Sequence, residues 1–224
     1  MAVEAAKTAI ADAGLEPKDI DGIVKFTADS TPQGELAACL GIPYLRFYGE
    51  LGPLGGAACG LVLQAVLAVS RGMANHVLVY RSVNGRSGRR YGSGVVTSRR
   101  GEKSSAFTEP YGLLVPAQSS ALRIRRHMHE FGTTVEQLGA VAVAFRKHAC
   151  LNPKAIMHDR PITMDDYFNS KMFFDPLRMF DCALEADGAC AFVVTSAERA
   201  ANLMHRPVMI MSAAQALLAE QGSF

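Results

Sequence analysis

The sequence predicts a layered α/β fold, and three stretches carry that prediction. Residues 57–70, Ala-Ala-Cys-Gly-Leu-Val-Leu-Gln-Ala-Val-Leu-Ala-Val-Ser, are small and apolar on every side of a helix, the pattern of a helix buried all round. His76-Val77-Leu78-Val79-Tyr80-Arg81 reads as a buried strand, of the kind covered on both faces in parallel or mixed sheets. Just before the helix, residues 51–56 hold three glycines and a proline. Glycine loop, buried helix and buried strand, in that order, describe a layered α/β protein with a central helix between layers.

The other elements follow from periodicity and stop signals. Val3, Ala6, Ile10 and Ala13 repeat at helical spacing, with Gly14 as the stop. Asp21-Gly22 leads into a short β run, Ile23 to Thr27. Pro32 to Leu40 reads as a helix ended by Gly41 and Pro43, and Tyr44 to Tyr48 alternates like a strand. Residues 84–104 are rich in Gly, Ser and Arg, with Arg86, Arg89, Arg90, Arg99, Arg100 and Lys103; a polar loop of this length inside a domain points to function or mobility. Two amphipathic helices are expected over 116–131 and 134–151, and a short one, capped by Thr163, near 164–168. Gly188 to Thr195 reads as a buried strand, Ser196 opens a helix, and Pro207 to Ser212 begins one more strand. The first helix has no strand ahead of it and the last strand candidate runs into a polar end, so the chain is expected to be truncated at both ends.

Composition narrows the function. Of 224 residues, 49% are hydrophobic and 20% charged, ordinary for a soluble protein with a real core. A net charge of +2 gives no bulk electrostatic case for nucleic acid. No apolar run approaches the roughly 18 residues of a membrane span, and Met1 to Lys7 is not a secretory signal. Cys39, Cys59, Cys150, Cys182 and Cys190 form no CxxC pair; neither a disulfide framework nor a zinc site is expected, and a reducing cytoplasm is the natural compartment. His127 and His129 are too close in sequence for a helical i,i+4 metal pair, and no metal is expected.

Five segments carry a family resemblance. They are Leu15-Glu16-Pro17-Lys18-Asp19-Ile20-Asp21-Gly22, Gly55-Gly56-Ala57-Ala58-Cys59-Gly60, the run from Val79 to Gly88, Arg146-Lys147-His148-Ala149-Cys150-Leu151-Asn152-Pro153, and the run from Asp181 to Ala189. In this order and spacing they resemble the thiolase superfamily, in its lipid-transfer-protein branch with sterol-carrier-type thiolases and aldolase-like members. The resemblance implies an α-β-α-β-α layered fold of two similar halves. Residues 1–224 would be the N-terminal half without its opening strand, with an inserted loop region at about 84–180. The GHPxGxxG-like segment of the family's second half has no counterpart in this sequence.

The resemblance also frames the chemistry. Thiolysis needs a thiolate, and Cys59 stands near a helix N-terminus that would favour one. Thiolases with a cysteine nucleophile place Gly three residues after it; Gly60 then puts the nucleophile position at Ala57, which has no thiol. Aldolase-like members need only an oxyanion site and a general base. Gly55 and Gly56, with the helix that follows, are candidates for that oxyanion site and for close approach of substrate. His148 is a candidate acid or base, with a helix-end hydrogen bond as the plainer role. Arg86, Arg89 and Arg90 are candidates for the phosphates of coenzyme A, and Asp187 for a turn anchor. The implied activity is that of an acyl-CoA acyltransferase or a carbon–carbon lyase on a β-oxo or β-hydroxy acyl-CoA, with the coenzyme A thioester as substrate and no resident cofactor. The alternative is a non-catalytic acyl-CoA-binding or scaffold subunit. A homodimer and a small OB-fold partner carrying a zinc ribbon are the implied partners.

Overall fold

The computed structural model describes residues 1–27, 29, 31–52, 57–88 and 107–216, with Ala57 described through its backbone. Elements follow in the order α1 (Ala2–Asp12), β1 (Gly22–Phe26), α2 (Gln33–Leu40), β2 (Phe47–Leu51), α3 (Ala57–Ser70), β3 (His76–Asn84), α4 (Pro116–Phe131), α5 (Val135–Cys150), α6 (Met164–Asn169), β4 (Met172–Phe174), β5 (Leu177–Arg178), β6 (Asp187–Thr195) and α7 (Ala197–Ala200). The described residues form two compact units, 1–88 with 186–216, and 107–185.

The first unit is built on a four-stranded sheet ordered β2-β1-β3-β6. The first three strands are parallel and β6 runs antiparallel to β3. Side chains alternate across each strand, so two cores form. On one face Ile23, Leu78 and Tyr80 pack with Ala6 and Ile10 of α1 and Leu36 of α2. On the other Val24, Phe26, Val77 and Val79 pack with Leu61, Ala65 and Ala68 of α3. All five residues of β1 are buried, as an interior strand covered on both faces requires.

Asp21 ties the beginnings of the strands together. Its carboxylate accepts the N–H of Asn75 at 2.7 Å and of His76 at 2.9 Å, and pairs with Arg46 at 3.5 Å. Its carbonyl accepts from the N–H groups of Arg46 and Phe47. Those bonds start the β2 ladder at Phe47, three residues later than the alternation of Tyr44 to Tyr48 predicts.

Two further expectations are corrected. α3 is not buried on every side among the described residues: one stripe meets the sheet, while Leu67 remains 49% exposed and Cys59 exposed. Its composition is that of a helix covered twice, and the sheet covers it once. Pro207 to Ser212 joins no ladder; Val208 is 94% and Met211 97% exposed. A strand needs a neighbour's N–H and C=O groups, and no described strand offers them there.

The second unit packs α4, α5 and α6 with the β4–β5 hairpin. Thr134 caps α5, its hydroxyl accepting from Gln137 N–H while Gln137 Oε1 accepts from Thr134 N–H at 3.0 Å. Thr163 and Asp166 make the same reciprocal cap on α6. Tyr167 is fully buried and donates to Asp181 Oδ2 at 3.0 Å. Gly139 of α5 gives its ring room, since a Cβ there would overlap Tyr167. The hairpin, turning through a cis Asp175-Pro176 bond, was not expected from the sequence: strands of three and two residues are too short to show a period. Among the described residues no helix is long and apolar enough to cross a membrane.

Leu78 lies fully buried at the centre of the sheet. Leu78→Ala is expected to cost about 2–5 kcal/mol of stability, measured by urea denaturation. Among the described residues His76 Nδ1 is buried without a partner, and burial holds its pKa below the usual 6.5, assisted by Arg199 and opposed by Asp21 and Asp19. A lowered histidine pKa favours the fold above the unfolded value and loses that contribution as pH falls. The urea midpoint is therefore expected to drop from pH 7.5 to 5.5, and His76→Gln to flatten that dependence.

Candidate functional site

The C-terminal ends of three parallel strands and the N-terminus of a crossover helix converge at one edge of the first unit. Open α/β sheets bind their ligands at this edge. β1 leads into Thr27 and Asp29, β2 into Gly52, and β3 carries Arg81 and Ser82 to the same end. α3 starts there: a Cβ on Gly60 would overlap Leu51 Cδ2, so the first turn of the helix lies against the last residue of β2. Leu51 is paired with Phe26, the last residue of β1.

A charged cluster lies within this edge. Asp29, its side chain 1% exposed, accepts the N–H of Ser82 at 3.1 Å. Among the described residues its Oδ1 has no hydrogen-bond partner, and it faces Arg81 Nε at 3.7 Å. Lys25, also buried, donates to the carbonyl of Asp29 at 3.0 Å and pairs with Glu50 at 3.6 Å. Burial pushes the Asp29 carboxyl above the usual aspartate value; the Ser82 N–H and then the charges of Arg81 and Lys25 oppose it. Burial likewise raises the Tyr80 phenol, with Asp29 and Glu50 adding to the effect, while its OH donates to the carbonyl of Thr31 at 2.6 Å. This cluster was not expected from the sequence. Its traces were a lysine inside an otherwise apolar β run and an aspartate just past the strand end.

Cys59 is exposed in the first turn of α3. Ala57 heads the same turn. Gly55 and Gly56 lie outside the described residues, as do Arg89, Arg90, Arg99, Arg100 and Lys103. The Arg86 N–H donates to Asp187 Oδ1 at 2.9 Å and the Ser87 N–H to the same oxygen at 3.0 Å. Asp187 is thus the anchor its position suggested, fixing the turn that leads into the arginine-rich segment. His148 belongs to the other unit, exposed on the last turn of α5 with its ring 6.5 Å from that of Phe145. Among the described residues its side chain makes no hydrogen bond to a helix end. The His127 ring is 2.8 Å from Thr133 Oγ1.

Two clefts lie elsewhere. One of about 1090 Å³ runs along β6 between α1, α3 and residues 203–210. The other, about 680 Å³, is an apolar groove of the second unit walled by Ile124, Val141, Phe145 and Phe180.

No family model matches the chain. It is 49% identical over 219 residues, 96% of its length, to a steroid side-chain-cleaving aldolase of Thermomonospora curvata, covering 56% of that protein. It is 45% identical over 227 residues, 99% of its length, to a 17-hydroxy-3-oxo-4-pregnene-20-carboxyl-CoA lyase of Mycobacterium tuberculosis, covering 58% of it. Among solved structures, an Ltp2-ChsH2(DUF35) aldolase superposes at TM-score 0.83 and 48% identity, over 93% of this chain and 53% of that one. A monomeric SCP2-thiolase-like protein of Mycobacterium smegmatis superposes at TM-score 0.65 and 18% identity, over 91% of this chain and 44% of that one, which speaks to the fold alone. The fold is thiolase-like, and the chain spans about half the length of the curated relatives it matches.

Hydrogen bonds from the Ser87 N–H and then the Arg86 N–H hold the Asp187 carboxyl below the usual 3.8. A depressed aspartate pKa contributes above the unfolded value and is lost as pH falls through the folded one. Asp187→Ala is expected to speed amide hydrogen exchange at Arg86 and Ser87 at neutral pH, an effect that mass spectrometry of the 84–88 segment would read. The wild type is expected to approach the variant only below about pH 4.

Proposed function

Starting from homology with the lipid-transfer branch of the thiolase superfamily, we propose that this chain serves a carbon–carbon lyase that cleaves a β-hydroxyacyl-CoA thioester of steroid type. The observation that carries the reading is the agreement between relatives and residues. Two relatives matched along nearly the whole chain are an aldolase and a CoA-thioester lyase, and the position three before Gly60 is Ala57, which offers no thiol.

In such a cleavage a base takes the proton of the β-hydroxyl. The Cα–Cβ bond breaks, its electron pair becomes the thioester enolate, the hydroxyl carbon becomes a ketone, and the enolate then takes a proton at Cα. No oxidant, reductant or acyl-enzyme is needed. The demand on the protein is stabilisation of negative charge on the thioester oxygen. The first turn of α3, which lies against Leu51 at the end of β2, supports that role. Arg86, next to the anchored turn, supports a contact with the phosphates of coenzyme A, and we extend the same role to Arg89 and Arg90.

We assign the acyl acceptor role to no residue, and read Cys59 as a neighbour of the site. His148 remains a candidate base. The DUF35 protein in the solved aldolase motivates a partner of that kind here. A homodimer and a cytoplasmic location belong to the same reading.

The test incubates the purified protein, with and without a DUF35-type partner, with a 17-hydroxy steroid carboxyl-CoA thioester, and follows ketosteroid release by mass spectrometry. Cleavage is expected, and Cys59→Ala is expected to keep it within about threefold, since no covalent step passes through the thiol. A loss of roughly 100-fold or more would restore Cys59 as nucleophile and with it the acyltransferase reading. CoA binding without any cleavage would favour the binding or scaffold role.

A further inference from the structure

Arg81 is held in a manner that a surface arginine does not need. It lies on the α3 face of β3, alternating with Val77 and Val79. Its guanidinium stacks 4.5 Å from the centre of the Phe26 ring, and its Nε edge faces the buried Asp29 carboxylate at 3.7 Å. A ring on one side and a buried counter-charge on the other fix the plane of the guanidinium. Asp29 is fixed in turn by the Ser82 N–H and, through its carbonyl, by Lys25. Burying a carboxylate is costly unless it is paired and hydrogen-bonded. Among the described residues Asp29 nonetheless keeps Oδ1 without a hydrogen bond, directed to Arg81.

The other cation of the cluster is committed: Lys25 is spent on Glu50 and on the Asp29 carbonyl. Arg81 is not. Its side chain is 40% exposed, and among the described residues its two terminal amino groups meet no hydrogen-bond acceptor. Phe26, beneath it, pairs with Leu51, and Leu51 touches the first turn of α3. The open edge of the guanidinium therefore belongs to the same corner as the helix N-terminus.

We propose that Arg81 is an oxyanion-binding residue at this corner and that Asp29 is the positioning residue that aims it, as shown by a buried, incompletely bonded carboxylate facing a guanidinium stacked on Phe26 with its outer edge open. The proposal rests on the CoA-thioester reading for its ligand. The oxyanion belongs either to a phosphate of coenzyme A or to the enolate formed at the thioester, and both match the planar, two-pronged donor set of arginine.

The experiment uses the full chain, with its partner where activity requires one, and compares wild type with Arg81→Met, Arg81→Lys and Asp29→Asn. Affinity for coenzyme A, which has the phosphates and no thioester, is measured by calorimetry; kcat and KM are measured on the β-hydroxyacyl-CoA. If the anion is a phosphate, Arg81→Met weakens coenzyme A binding about tenfold or more and raises KM with kcat little changed. If it is the enolate, coenzyme A binding stays within about twofold and kcat falls roughly 100-fold. In either case Arg81→Lys recovers part of the loss, and Asp29→Asn reproduces its direction with smaller size. A merely structural arginine would lower thermal stability without that division between KM and kcat. Arg81→Met with affinity, kcat and KM all within about twofold of wild type overturns the proposal. Should Asp29→Asn fail to fold, the partly exposed Arg81 pair of variants decides alone. A protein that cleaves no thioester but loses coenzyme A affinity in Arg81→Met keeps this site while the lyase reading falls; unchanged affinity in such a protein overturns the site.

Discussion

The register of β3 is the constraint on which the rest of the first unit depends. The strand is paired on both edges, parallel to β1 from Val77 to Tyr80 and antiparallel to β6 from His76↔Thr195 to Asn84↔Asp187. A slip of one residue would exchange its faces, sending Leu78 and Tyr80 to the α3 side and Val77 and Val79 to the α1 and α2 side. The ends of the strand turn that register into chemistry. At its beginning, the Asn75 and His76 N–H groups seat on the Asp21 carboxylate; at its far end, Ser82 N–H seats on Asp29 and the pairing of Asn84 with Asp187 brings the Arg86 turn under that carboxylate. Three aspartates thus read out one register.

Those aspartates sit in different settings. Asp21 and Asp187 accept two backbone N–H groups each, and those bonds hold the Asp187 carboxyl below its usual value. The Asp29 carboxylate accepts the backbone N–H of Ser82, is buried, and has its pKa raised by that burial. An apolar residue in its place would spare the desolvation cost. What the charge provides is orientation, since a carboxylate facing Arg81 and a carbonyl facing Lys25 fix two cations on opposite faces of the sheet at once. Folding and site geometry therefore meet at one residue, and the cost of burial is carried where a ligand edge is expected for an open parallel sheet.

The second unit is organised by local rules. Reciprocal caps at Thr134 and Thr163 start its helices, and the Tyr167–Asp181 bond joins α6 to the segment after the hairpin. Its helices expose Val141 and Phe145 beside an apolar groove, and His148 shares that surface region as a neighbour of Phe145 in α5. Among the described residues none fixes its side chain by a hydrogen bond, in contrast to Asp187, whose two N–H donors come from a turn about 100 residues away in sequence.

The sequence alone determined the element types wherever a period or a cap repeated over enough residues: α3 over 57–70, β3 from His76, the pair of helices after Pro116, and β6 with Ser196 closing it. Local hydrogen bonding and side-chain spacing set these, and both can be read from neighbours along the chain. It also determined the lipid-transfer thiolase resemblance, through the order of short segments, and the missing thiol at Ala57. Tertiary structure decided what depends on distant partners. β2 begins at Phe47 because Asp21 supplies its first acceptor; residues 207–212 stay outside the sheet because no described strand offers them a ladder; and α3 presents an uncovered side because one sheet covers one face. The same holds for the site. Lys25, Asp29, Glu50 and Arg81 come from three strands and the residues just past one of them, spaced up to 56 positions apart, and a charged cluster of that kind exists only once parallel strands have laid their ends side by side.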